Sequence, residues 1–224
     1  MSAVVRKSKR EEILSCFTEM VAERGYDEVS VRDVAEALEI SKGTVLHHFG
    51  NKESLLEELH SEYMRRRIAE AEALLSRFPE PVDQLQLIVY QLMIAQRDDR
   101  AATVAFAREI VRFASEEVMA DVRAMRDRYS EMVTDVIRRG IESGAFEDVD
   151  PRLAALQLFG MCNWSWTWFK PKGRLSAIEI AGQYCRVLLG GLMREAPADL
   201  DGRALAEAVV ETMSSGEVAA PAGA

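Results

Sequence analysis

The sequence has three cysteines, Cys16, Cys162 and Cys185. Their odd number and the lack of any C-x-x-C pair exclude a disulfide framework and a zinc site, leaving reduced, buried thiols. Histidine is equally scarce, and no His, Cys or carboxylate group has ligand spacing, so neither metal nor cofactor is expected. No run reaches the roughly 18 apolar residues of a membrane span. The most apolar stretch, Leu153 to Phe169, is interrupted by Gln157 and Asn163. No secretion signal precedes the first amphipathic segment. A cytoplasmic protein without membrane contact is expected. No nucleophile paired with a base and no phosphate loop is evident, so no catalytic residue is assigned and no enzyme is expected.

What is present describes a folded chain. Of 224 residues, 48% are hydrophobic and 29% charged, enough apolar material for a core. The net charge of -9 excludes a protein whose whole surface coats nucleic acid. The acid surplus lies mainly after residue 67, and Arg6, Lys7, Lys9 and Arg10 form a cationic cluster without opposing acids.

All six prolines stand at punctuation points, and the long intervals between them are free to be helical. Ile13, Leu14, Phe17, Met20 and Val21 recur with the helical period, and Gly25 ends that helix. Leu55, Leu56, Leu59 and Tyr63 open another that runs to about Phe78. Further helices are read over Val82–Gln96, Ala101–Phe113, from Ser115 as cap to Gly144 as stop, from Asp150-Pro151 onward, from the Ser176/Glu179 capping box to about Arg194, and over Asp201–Met213. No segment alternates with period two. The fold class is all-α.

The stretch from Ser30 to Lys52 carries the chemistry. Ser30 caps a short helix with Val31, Val34, Ala35 and Leu38 on its apolar face, and Ser41 caps a second with Val45, Leu46 and Phe49 turned inward. Two short helices about a tight turn, backed by the longer one before them, make a helix-turn-helix. On the outer side of the second helix, Lys42, Thr44 and His47 offer donors and a methyl to base edges, and Gly43 lets the backbone approach. Ser30, Ser41, His48 and Lys52 suit phosphate oxygens. The adjacent pair His47-His48 does not suit a metal, because neighbours on a helix diverge.

These residues resemble a known family. Glu23-Arg24-Gly25-Tyr26, Val31-Arg32-Asp33-Val34-Ala35, Ser41-Lys42-Gly43-Thr44 and His47-His48-Phe49 before Lys52-Glu53 are similar to the DNA-binding domain of the TetR family of bacterial transcriptional regulators. Leu46 stands where that family commonly has tyrosine. The resemblance implies a DNA-binding domain over 9–56 after a basic flexible arm at 1–8. It further implies a ligand-binding and dimerisation domain over 57–195, followed by an extra helix and disordered tail over 196–224.

Within the larger domain, Phe106, Met119, Met125, Tyr129, Met132, Met161, Trp168 and Lys170 are the candidate ligand contacts, since aromatic and sulfur side chains adapt to apolar guests. An ordinary core would contain the same residues. Trp164, Trp166 and Trp168 are expected on one helix, the outer two sharing a face. Trp166, with the stripe Ala177, Ala181, Tyr184, Leu188 and Gly191, is the candidate dimer interface. A homodimer also follows from the need to read two half-sites of a palindrome. The run Asn163 to Ser176, with Trp168, Lys170, Pro171 and Gly173, is similar to TetR-type regulators of fatty-acid and sterol breakdown that respond to acyl-CoA thioesters, although Thr167 stands where a sterol-type member has arginine. Lys170, Lys172 and Arg174 would then meet CoA phosphates. The resulting expectation is a repressor released from a palindromic double-stranded DNA operator by an apolar or acyl-CoA-like effector. The alternative is an apolar-ligand carrier or helical adaptor that has lost DNA recognition.

Overall fold

The computed structural model describes residues 8–113, 117–193 and 202–215. Ten α-helices follow one another among the described residues: α1 Lys9–Arg24, α2 Val31–Ala37, α3 Lys42–Phe49, α4 Lys52–Arg77, α5 Pro81–Asp98, α6 Arg100–Phe113, α7 Ala120–Glu142, α8 Pro151–Asn163, α9 Ala177–Leu192 and α10 Arg203–Ser215. Among the described residues there is no strand; a single bridge joins Phe146 to Met193. The basic arm before Ser8, the Ser115 cap and the tail beyond Ser215 lie outside the described residues.

Local chemistry sets the helix boundaries. Ser8 with Glu11, Ser30 with Asp33 and Ser176 with Glu179 form reciprocal capping boxes, and Asp150 accepts from Leu153 N–H ahead of Pro151. The α1 stop at Gly25 (φ 90°) and the α3 stop at Gly50 (φ 77°) use backbone that only glycine adopts without strain. The helix expected to carry three tryptophans ends early, at Asn163. Ser165 donates to the Met161 carbonyl at 3.1 Å, and the amides of Trp168 and Phe169 converge on the Ser165 carbonyl at 3.2 and 2.8 Å. These bonds tighten Trp164–Thr167 into a 3-10 turn, so the α-helical spacing argument for the tryptophans does not hold.

The chain packs as two compact units that do not follow chain order. The first gathers α1 to α3, α4 as far as Met64, and the segment Ala101–Ala124; the second takes Arg65–Arg100 and the chain from Met125. The α6 helix therefore belongs with the helix-turn-helix, although in sequence it lies well inside the larger half. The first core is built on Ile13, Phe17, Val21, Val29, Val34, Val45 and Leu55, all fully buried.

The second unit is centred on α5, buried without a break from Gln84 to Gln96. It packs most extensively against α9 and α10, and also against α8. A helix covered on all sides must satisfy its polar groups internally. Gln84 donates to the carbonyls of Leu75 and Phe78 at 2.9 and 2.7 Å, closing the α4–α5 turn, and accepts from Arg139 at 2.6 Å. Gln91 donates to the Arg67 carbonyl at 2.8 Å and accepts from the Tyr129 hydroxyl at 2.8 Å. Nearby, the buried Arg67–Glu70 pair is closed at 2.8 Å. Burial pushes the Glu70 carboxyl up, with Arg67 opposing the shift.

Burial also raises the Cys162 thiol well above its ordinary range and the Cys185 thiol to about 12; Cys16 is half-buried, against the expectation that all three thiols are buried. Phe146, fully buried, lies flat against Gly140 of α7, leaving no room for a methyl group there. Gly140→Ala is expected to lower unfolding free energy by about 1–3 kcal/mol through overpacking, read as a shifted midpoint in urea at unchanged slope.

Candidate nucleic-acid interface

The second helix of the pair, α3, is anchored by Val45 and Phe49, and its other side faces solvent. Ser41, Lys42, Gly43 and His47 are exposed; Thr44, Leu46 and His48 are half-buried. The turn from α2 passes through Glu39 at φ 53°, with Ile40 N–H bonded to the Ala35 carbonyl at 2.9 Å. Ser41 Oγ accepts from Thr44 N–H at 3.0 Å and lies 2.9 Å from Thr44 Oγ1. Its hydroxyl is therefore first a cap, which fixes the Thr44 side chain beside it. The rings of His47 and His48 stand edge to face, 5.6 Å apart.

The remaining predicted contacts are placed differently. Ser30 donates its hydroxyl hydrogen to Asp33 at 2.6 Å, and the Asp33 carboxyl is held below its usual range by those Ser30 bonds, so Ser30 serves the α2 cap. Lys52, half-buried, places Nζ 4.0 Å from the centre of the Tyr26 ring, a cation–π contact that orients it at the start of α4. Two members of the cationic cluster do have acidic partners, which corrects the reading of an unopposed patch. Lys9 pairs with Glu12, and Arg10 pairs with Glu58 at 2.9 Å while lying over Phe49. The periodicity of the sequence could not show Glu58, which arrives from α4.

This geometry is a capped, solvent-facing recognition helix carrying cations and donors, set on a small core. Residues 13–59 match the family described as bacterial regulatory proteins, tetR family, and residues 79–192 match the tetracyclin repressor-like C-terminal domain. The chain belongs to the TetR family. It is 30% identical over 189 residues to the HTH-type transcriptional repressor KstR2 of Mycobacterium tuberculosis, covering 84% of this chain and 94% of that protein. The structure of that ketosteroid transcriptional regulator aligns with a TM-score of 0.78 at 29% identity, over 85% of this chain and 97% of the other. The crystal structure of AibR in complex with isovaleryl coenzyme A and operator DNA shares the fold, with a TM-score of 0.76 at 24% identity, over 82% and 100% of the two chains. The fatty acid metabolism regulator protein of Bacillus subtilis is 23% identical over 189 residues, 84% of this chain and 97% of that one. The present chain is thus a TetR-family DNA-binding transcriptional regulator, a class that binds and releases DNA and catalyses nothing.

In this TetR-family regulator the predicted ligand contacts are divided between the two units. Phe106 and Met119 belong to the first unit, where Phe106 stacks on Tyr63 at 4.5 Å and approaches His60 at 5.2 Å. Met125, Tyr129, Met132, Met161, Trp168 and Lys170 belong to the second, with Tyr129 buried, the three methionines half-buried, and Trp168 and Lys170 exposed. Met161 lines an apolar groove of about 390 Å³ between α8 and α9, together with Leu153, Val187, Leu188 and Gly191. Sequence reasoning missed Gln96 of α5, 2% exposed, whose amide donates to the Cys162 carbonyl at 3.4 Å while its Oε1 has no hydrogen-bond partner among the described residues. Its signal was a glutamine amid an apolar helix.

The predicted interface stripe on α9 is largely internal. Ala177 and Ala181 are fully buried and Leu188 nearly so, within the chain's own second unit, and Tyr184 is half-buried with its hydroxyl 3.1 Å from Ser165 Oγ. Trp166 is half-buried and Gly191 exposed. Among the described residues, the large exposed apolar side chains are those of Leu153, Leu156, Trp164, Trp168 and Val187. Four lie on or next to α8, whose all-round apolarity signalled two covered faces without indicating which residues formed the outer one.

Ser41→Ala removes the α3 cap, and is expected to cost about 1 kcal/mol, measured by urea unfolding, with Ser41→Asp recovering most of the loss.

Proposed function

We propose that this regulator is a cytoplasmic homodimeric repressor that holds a palindromic operator and releases it when an acyl-CoA-like effector binds the C-terminal domain. The observation that carries the DNA half is the exposed face of α3. Lys42, Gly43, Thr44 and His47 occupy its first two turns, where backbone N–H groups and the positive helix end also favour phosphate. Lys42 and His47 read or neutralise the duplex, Gly43 permits close approach, and Thr44 is held in place by Ser41. His48 and Lys52 reach the flanking backbone.

The dimer is supported by the apolar outer face of α8 and α9. Leu153, Leu156, Trp164 and Val187 are each more than half exposed, an arrangement rare on a monomer and expected where a second copy covers it. A two-fold dimer is what a palindrome requires, because its half-sites lie about 34 Å apart, one turn of duplex. No described helix is long and apolar enough to cross a membrane, consistent with the cytoplasmic assignment.

The effector class is supported by the relatives. AibR binds isovaleryl coenzyme A, and the names of the others refer to ketosteroid regulation and fatty acid metabolism. In this chain the exposed Lys170, Lys172 and Arg174 follow Trp168 in one loop, suited to CoA phosphates. Gln96 offers a buried acceptor to a hydroxyl or amide of the guest. Ligand binding then shifts the population toward a conformation in which the two recognition helices no longer match successive major grooves.

The reading is tested by mobility shift on the DNA flanking the protein's own gene, titrated with salt and with acyl-CoA thioesters. Lys42→Ala is expected to weaken binding and reduce the slope of log affinity against log salt by about one; an unchanged slope would remove Lys42 from the interface. Leu156→Glu is expected to convert the dimer to monomer in native mass spectrometry, with operator affinity falling at least tenfold. A variant that stays dimeric would move the interface elsewhere.

A further inference from the structure

The α3 helix, Lys-Gly-Thr-Val-Leu-His-His-Phe, holds no arginine, asparagine, glutamine or carboxylate. Those are the side chains that pair bidentately with guanine or adenine, or accept from cytosine, in the major groove. The hydrogen-bonding groups it does hold are partly spent. Ser41 Oγ and Thr44 Oγ1 lie 2.9 Å apart in a bond with each other, and Ser41 also accepts the Thr44 N–H. Little remains on this helix for telling bases apart by hydrogen bonds beyond Lys42 and the histidines.

Leu46 stands beside that face. Val45 is fully buried and Phe49 is 8% exposed, but Leu46, expected to turn inward with them, is half-buried. The helical rotation accounts for this, since Leu46 falls about 80° from the direction shared by Val45 and Phe49. Part of an apolar side chain is therefore presented along the edge of the reading surface. Three residues earlier, and so next to it on the helix, is Gly43. Apart from the helix's own backbone, only Ser41 Oγ, at 3.5 Å, approaches the place that a Gly43 side chain would take. The bare backbone and the leucine together make an open notch with an apolar wall.

A leucine cannot bond a phosphate, and the apolar group that a base pair offers to the major groove is the 5-methyl of thymine. We propose that Leu46 is a specificity-determining residue that reads thymine: the notch at Gly43 admits the 5-methyl group of one thymine in each half-site, which packs on the Leu46 side chain. This rests on the reading of α3 as the recognition helix. Its consequence is a preference carried by a methyl group, independent of charge.

The experiment selects an operator from a random duplex library with the full-length protein, then replaces its thymines by deoxyuridine, one symmetric pair at a time. Deoxyuridine keeps every hydrogen-bonding group and lacks only the methyl. At one pair, wild-type affinity is expected to fall about tenfold, roughly three- to fourfold for each methyl lost, with the slope of log affinity against log salt unchanged. The bromine of 5-bromodeoxyuridine fills the place of the methyl and is expected to restore affinity to within about twofold. Leu46→Ala is expected to bind the thymine operator about tenfold more weakly and to answer the deoxyuridine replacement by less than about twofold, because the two changes remove one contact. Should that variant fail to fold, irradiation of the wild-type complex on the bromo-operator decides, with the crosslink expected within residues 43–52. Wild type indifferent to every replacement, Leu46→Ala as sensitive as wild type, or a crosslink outside that segment overturns the proposal. If Lys42→Ala still lowers the salt slope in such a case, α3 remains the recognition helix. A library in which no sequence is enriched overturns the reading of α3 and this proposal with it.

Discussion

The recognition surface rests on helices too short to exist alone. With seven residues in α2 and eight in α3, both fall below the length at which an isolated helix survives in water. Their caps at Ser30 and Ser41 satisfy the first amides, and Val34, Val45 and Phe49 bind them to a shared core. That core is assembled from distant sequence: α1, the first part of α4, and α6 contribute to it. DNA reading and tertiary packing are consequently inseparable here. Any change that loosens the small core also blurs the geometry of Lys42, Thr44 and His47, without touching them.

A contrasting rule governs the second unit. There a long helix, α5, is buried on every side, and its glutamines convert what would be a polar liability into connections. Gln84 locks the preceding turn and holds Arg139; Gln91 joins α4 to α7 through Tyr129. The α10 helix, which follows the part of the chain matching the family's C-terminal domain, packs on α5 with Leu205, Ala206, Ala208 and Val209 buried, while Arg77 on α4 meets Glu211 at 3.0 Å. The all-round burial of α5 owes part of its closure to that added helix.

Much of this was legible because its signals are local. Capping boxes, glycine stops and prolines marked the helix starts and ends within a few residues, and the Ser30–Lys52 stretch announced both its structure and its partner. What stayed hidden depended on who packs against whom. The stripe on α9 has the same small-residue spacing whether it meets α5 of its own chain or a second subunit, and periodicity alone could not distinguish the two. The partnership of Arg10 with Glu58, and of Tyr26 with Glu109, joins residues far apart in sequence. Side-chain hydroxyl bonds ended α8 before its tryptophans, a competition between local and helical hydrogen bonding that an apolar pattern does not reveal.

That early ending has a spectroscopic consequence. The chain's three tryptophans all fall between residues 164 and 168, in the second unit, and two of them face solvent. Indole emission from this protein therefore originates at one edge of the larger unit, at wavelengths typical of a wet environment. It shifts toward the blue whenever that edge is covered, so the native chromophores act as a built-in reporter for burial there.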